Sequence, residues 1–350
     1  MVRVGQCSVP SIDFMFAKNR ISAFSRLDKS AWHVPVTICD ASDSSKVLKR
    51  VIIPPSALTK AFKVKLPMGS KIRFNPGIVG FYRVHYEDSL MSPILEALGE
   101  KKLDHKDRLC LLSDTFALVR FLRLDNEISA LLIHRFLISL QAKSGRVKMT
   151  SALSMVSTLR CEMDYIVWVE LRSQLANLLQ LLLERFASSG ESGPSAESVE
   201  EALNAFIIHL AEPPFKRLGW NTLEKVSSND ALLRPLLIAA LGSACSPDVI
   251  AEAKSRFDRH YKAVMASDKG DSAVASFQSN ELIPADLRLS VYATCVKNFG
   301  EEVFDRLLQV LLVVKNHLVY LNVFCYLPQH IVGIFSSTRR QQCTMREFVF

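Results

Sequence analysis

Eight histidines and eight cysteines are the side chains of this 350-residue chain most suited to metal or nucleophilic chemistry. The histidines are His33, His85, His105, His134, His209, His260, His317 and His330. A zinc hydrolase of the H-E-x-x-H type needs two His one helical turn apart on one metal, with Glu as general base. None of the eight is followed by Glu. The cysteines, at 7, 39, 110, 161, 245, 295, 325 and 343, lie no closer than 18 residues apart, so no C-x-x-C zinc or redox pair exists. His317, Cys325 and His330 are spaced 8 and 5 apart, which fits no standard zinc pattern. Gly190-Glu191-Ser192-Gly193 misses a G-x-S-x-G elbow by one place and reads as loop. Neither a Walker loop nor G-x-G-x-x-G is present. No catalytic residue, metal ligand or cofactor is therefore expected in this chain.

Charge excludes a further class. The net +8 belongs to the first fifth of the sequence: residues 1–75 carry 13 Lys and Arg against 4 Asp and Glu, and the other 275 carry 30 against 31. The basic residues alternate with apolar ones, as in Phe62-Lys63-Val64-Lys65-Leu66 and Lys71-Ile72-Arg73-Phe74. That period of two marks strands with one buried and one wet face. No aromatic array or zinc-finger spacing accompanies it, so no nucleic-acid partner is expected. Absent N-x-[ST] acceptors, unpaired cysteine spacing and a poor leader at Arg3–Asp13 point to a reducing, cytoplasmic location. Asn316–Thr338 runs 23 residues without Lys, Arg, Asp or Glu, but Asn316, His317, Asn322, Pro328, Gln329 and His330 argue against a membrane span.

The elements that must position any site fall into two kinds. Residues 1–30 show no clear period. From Trp32 the chain reads as short strands: Trp32–Ile38, Val47–Ile53, Lys60–Leu66, Lys71–Phe74 and Gly80–Tyr86. Asn75-Pro76-Gly77 suits a tight turn, with Gly at a positive φ. After Glu87 the apolar period becomes 3.6. Stripes run through Leu109, Leu112, Phe116 and Val119; Ile128, Leu132, Phe136 and Leu140; and Leu175, Leu178, Leu182 and Phe186. Asn229 is the expected cap of a helix bearing Leu232, Leu233, Leu236 and Leu237, with a kink at Pro235. Ser246-Pro247 opens a helix burying Ile250, Ala253, Phe257 and Val264, and Pro284 opens one bearing Leu287, Val291 and Cys295 that stops at Gly300. Helix pairs recurring at very roughly 40–45 residues predict a HEAT-like α-solenoid after a small β-sandwich, a mainly α fold.

Five motifs in one order carry a resemblance. Gly80-Phe81-Tyr82-Arg83-Val84-His85-Tyr86-Glu87 fits G-[YF]-Y-R-V-x-Y-[DE]. Asp107-Arg108-Leu109 with Asp114, Phe116, Leu118 and Arg120 resembles D-R-x-x-L-x-x-D-x-F-x-L-x-R. Arg217-Leu218-Gly219-Trp220, Ala285-Asp286-Leu287-Arg288 through Val291-Tyr292, and the strand from Trp32 complete the set. Together, from about Trp32 to about Val310, these resemble the β-sandwich and C-terminal helical domain of zinc aminopeptidases, nearest the puromycin-sensitive group. The resemblance implies an organisation of a poorly matching leader (1–30), a β-sandwich domain (31–87), a helical solenoid domain (88–310) and a divergent apolar tail (311–350). It implies a non-catalytic region that encloses the cleft and contacts the peptide body, with zinc and the G-A-M-E-N loop borne by a catalytic half that this sequence does not contain.

On that resemblance Tyr82, Arg83, Tyr86, Arg108 and Asp114 are the residues for peptide contact or for the joint between the two domains, the joint being favoured. The chain alone is expected to be inactive on peptides. Its partners would be peptides through the intact enzyme, with the catalytic half or another protein beside it. The rival reading is a stand-alone solenoid scaffold that binds protein on its concave face.

Overall fold

A computed structural model describes residues 2–6, 11–16, 33–54, 62–67, 69–86, 88–121, 151–187, 195–221, 226–267 and 271–314. The chain divides into two compact units, Met1–Ala202 and Leu203–Phe350.

The first unit begins with seven strands: β1 (Val2–Gln6), β2 (Ser11–Phe16), β3 (Val34–Asp40), β4 (Val47–Ile53), β5 (Phe62–Lys65), β6 (Ile72–Phe74) and β7 (Val84–Tyr86). They form one sheet in the order β5-β2-β1-β7 and a second in the order β4-β3-β6. The second is antiparallel throughout. In the first, β1 runs antiparallel to β2 but parallel to β7, with Val2 opposite Val84. The sheets meet at β6 and β7. The rings of Phe74 and Tyr86 lie 6.1 Å apart, and the Phe74 N–H donates to the Tyr86 hydroxyl at 2.9 Å.

Strand parity sorts the second sheet. On one face Val36 and Ile38 of β3 are buried, opposite Val51 and Lys49 of β4. On the other, Pro35 and Thr37 stand opposite Ile52 and Arg50. Four helices follow: α1 (Asp88–Gly99), α2 (His105–Phe121), α3 (Ser151–Thr158) and α4 (Tyr165–Ala187). In α4 the buried Trp168, Leu171, Leu175, Leu178 and Leu182 follow the 3-4-3-4 spacing of one helical face, packed against α2. The unit boundary falls inside α5 (Ala196–Leu218).

The second unit contains α6 (Ser228–Ser243), α7 (Pro247–Ala266), α8 (Asp271–Gln278), α9 (Arg288–Phe299) and α10 (Glu301–Val314). Helix α9 packs on α6 and α7, and α10 on α7 and α9. A Cβ at Gly242 would stand 2.2 Å from the Thr294 hydroxyl oxygen, so glycine is what lets α6 and α9 approach there. Buried His260 bonds through Nε2 to the Phe277 carbonyl at 3.1 Å and through Nδ1 to the Tyr292 hydroxyl at 3.3 Å. Burial holds its pKa below the ordinary value, which keeps the ring neutral with its proton on Nε2.

The fold is mainly α after a small β region, the class read from the sequence. Several local expectations shift. Residues within 1–30 supply β1 and β2. The last β segment is strand only from Val84. Ser227, not Asn229, caps α6: its hydroxyl accepts the Asp230 N–H at 3.1 Å. In α6 the buried face holds Leu233, Arg234, Leu237 and Ile238 while Leu232 is exposed, because a 100° step puts the neighbouring residue on the solvent side. Val249 replaces Ile250 on the buried face of α7. Helix α9 starts at Arg288, four residues after Pro284, and ends at Gly300 with φ 69° as expected. The stripe Ile128–Leu140 and the apolar stretch Asn316–Thr338 lie outside the described residues. Among those described, no single helix is long and apolar enough to cross a membrane; α6 and α7, bent by 110°, meet the length and composition test only as a pair.

Candidate functional site

Residues of the motifs at 80–87 and 107–120 lie at the turn between β6 and β7 and on the helix α2 that backs it. Asn75 clamps the turn from both sides, accepting the Gly80 N–H at 2.6 Å and donating to the Gly80 carbonyl at 2.9 Å. Within it Asn75, Gly77 and Ile78 have φ of 55°, 69° and 60°. Positive φ was expected at Gly77. At Ile78 it is strained, since a β-branched side chain crowds the backbone there. Val79 is 89% exposed and Phe81 fully so. Gly80 admits no side chain, because a Cβ would fall 2.2 Å from the Tyr82 ring.

Beneath the turn lies an ion pair that the alternation pattern misassigns. Arg73, read as a wet-face residue, is 1% exposed, and so is its partner Asp107. Arg73 Nη2 donates to Asp107 Oδ2 at 2.7 Å and to the Ser44 hydroxyl at 2.6 Å. Ser44 also donates to Asp107. Asp107 Oδ1 accepts the Gly77 N–H at 2.8 Å, tying the start of α2 to the turn. The partner is 34 residues away in sequence, so a period-two reading places Arg73 outside. The Asp of the helix motif was the available signal.

The five sequence-predicted residues fall as follows. Asp114 is buried and accepts the Val84 N–H at 2.9 Å. Its other oxygen faces Arg83 Nη1 at 3.4 Å, and Arg83 also donates to the Ser113 carbonyl at 2.9 Å. Burial raises the Asp114 carboxyl to about 6, against the Val84 N–H, Arg83 and Cys110, which favour its charge. Tyr86 is buried against Phe74, and burial pushes its phenol well up. Tyr82 is half-buried; burial lifts it to about 12 although backbone groups of Thr37 and Asn75 pull the other way. These four lie around the β7–α2 contact. Arg108 stands apart, on a different neighbour: Nε and Nη2 fork onto Glu162 at 2.6 and 2.9 Å, and Nη1 donates to the Leu103 carbonyl at 2.6 Å. Glu162 also accepts the N–H groups of Met163 and Asp164, so it organises the turn leading into α4. Glu162 was not foreseen, because the Arg108 motif does not include its partner.

Every one of these groups bonds to another part of the chain. Cys110 Sγ donates to Asp114 Oδ2 at 3.8 Å, but burial pushes its thiol up to about 12, so it is not a ready nucleophile. Among the described residues no three His, Cys, Asp or Glu side chains are grouped to hold a metal ion.

In the first unit a β-region closed by a clamped turn is continued by packed helices. A family model described as the ERAP1-like C-terminal domain matches residues 72–317, and the chain belongs to that family. Relatives include Aminopeptidase M1-A of Oryza sativa subsp. japonica, 25% identical over 272 residues, covering 77% of this chain and 26% of the relative. Puromycin-sensitive aminopeptidase of Caenorhabditis elegans is 23% identical over 281 residues, covering 80% and 24%. Glutamyl aminopeptidase of Mus musculus is 23% identical over 276 residues, covering 77% and 23%. The chain thus spans about a quarter of the length of these curated relatives.

Proposed function

We propose that this chain serves as the peptide-enclosing C-terminal region of a zinc aminopeptidase and does not cleave peptides alone. One observation carries the reading: the family match spans 72–317, yet the 350 residues contain no H-E-x-x-H. Zinc and the general base would then be supplied by a catalytic half. Peptides would reach this chain only through that assembly.

Tyr82, Tyr86, Asp114 and Arg108 act in this reading as the joint between a β domain (31–87) and a helical domain (88–310); the bond of Asp114 to the Val84 N–H across that boundary supports it, while Tyr86 bonds within 31–87 and Arg108 within 88–310. Arg83, its side chain 48% exposed, keeps a face open to a peptide. A cytoplasmic location is supported by five described cysteines that are all free, with Cys161 and Cys245 exposed. The test is an aminoacyl fluorogenic substrate with the purified chain and added zinc. No turnover is expected. Zinc-dependent turnover would overturn the proposal.

A further inference from the structure

The turn that holds Ile78 in a strained backbone also walls a cavity of about 600 Å³, a size typical of ligand sites. Its floor is the outer face of β3 and β4, at Pro35, Thr37, Val47 and Arg50. Its wall is the turn, at Pro76, Val79 and Tyr82. The lining contains one cation and no carboxylate. The acids of the adjoining turn are engaged elsewhere: Asp40 pairs with Lys46 at 3.5 Å, and Asp43 accepts from Ser45. Arg50 is exposed and makes no hydrogen bond or ion pair with any described residue. Apolar surface continues past the rim, through Ile52, 66% exposed and across from Pro35, and through the exposed Val79 and Phe81. Side chains of this kind fully in water are uncommon outside contact surfaces when they cluster. Here the clamp of Asn75 on Gly80 and of Asp107 on Gly77 holds the turn in place, so its apolar face is already formed before anything binds.

We propose that this cavity binds a peptide segment in which an acidic residue is flanked by apolar ones. The carboxylate forks onto Arg50, with Thr37 as a neighbouring hydroxyl, and the apolar side chains rest on Val47, Pro76, Val79 and Tyr82. An open cavity with an apolar rim beyond it suits a chain passing through better than an enclosed small molecule. The site needs no free amino terminus and no zinc, so it stands or falls apart from the aminopeptidase reading.

The test uses the whole chain and the blocked peptide acetyl-Leu-Glu-Leu-amide, with affinity read by ligand-observed NMR. The peptide is expected to bind at least about tenfold more tightly than its Gln counterpart, since a charge-assisted fork is lost. Arg50→Gln should abolish that discrimination. Lys49→Gln, on the opposite face of β4, should preserve it. Val79→Ser should weaken both peptides alike. All three positions are exposed, and unchanged far-ultraviolet circular dichroism would confirm that the variants fold. Equal binding of the two peptides, no binding at millimolar concentration, or equal effects of the Arg50 and Lys49 changes would overturn the proposal. So would octanoate competing as strongly as the peptide, which would make the occupant a small carboxylate.

Discussion

Replacing Asp107 by Asn tests the buried pair beneath the turn. The change is nearly isosteric and keeps a carbonyl oxygen for the Gly77 N–H. It removes the only carboxylate bonded to Arg73 among the described residues, and the Arg73 side chain is 1% exposed. An uncompensated buried charge of this kind costs about 3–5 kcal/mol. With a urea slope of about 2 kcal/mol/M, the unfolding midpoint of the first unit should fall by roughly 2 M. Urea denaturation with hydrogen exchange read at residues 72–86 measures both the loss and its location. The partner experiment is the double change Arg73→Met/Asp107→Leu. Apolar residues of similar volume in place of both charges should recover most of the loss, because neither ion then has to be desolvated. A single variant that loses less than about 1 kcal/mol would refute the burial argument. So would a double variant no more stable than the single one, since it would mean that packing rather than charge is at stake.

Three further outcomes follow from the same geometry. Asp114 has a folded pKa of about 6, above its ordinary 3.8. Its neutral form therefore contributes stability fully below the unfolded value, lost as pH rises through 6, a change of about 3 kcal/mol. Asp114→Asn should flatten that part of the stability profile between pH 4 and 7, measured by denaturant titration at each pH. Arg108→Ala should cost about 3 kcal/mol by leaving the buried Glu162 carboxylate without its fork, while Arg108→Lys recovers only part; thermal unfolding compares the two. Gly242→Ala should cost about 1–3 kcal/mol through its clash with Thr294, and adding Thr294→Ser should relieve part of that; an unaltered melting temperature for Gly242→Ala would contradict the close approach of α6 and α9.

Periodicity located the elements better than it located their partners. Val64 is buried while Lys65 is exposed, as the alternation in β5 requires, and Leu175, Leu178 and Leu182 are buried as a 3.6 period requires. Both patterns act through the nearest layer, so short windows suffice. Arg73 was misread because a charged residue moves to the buried face only when a distant carboxylate waits there. Glu162 went unseen for the same reason, 54 residues from the Arg108 it receives. The motif around Tyr82 and Asp114 was legible as a family mark, and Asp114 bonds to the Val84 N–H and faces Arg83. The cavity beside Arg50 draws on three segments, and no spacing in the sequence announces it.

The parallel pairing of β1 with β7 bears on the order in which the chain acquires its structure. Val2 cannot meet Val84 until some eighty intervening residues have been synthesised, and closing so long a loop carries an entropic penalty before any contact rewards it. During translation the first strand must stay unpaired on that side until the peptide leading into α1 has left the ribosome. The β-region is therefore completed at its last strand, and the helix that pins the turn through Asp107 arrives immediately afterwards. Slow emergence of residues 84–107 would prolong the interval in which an open sheet edge is exposed.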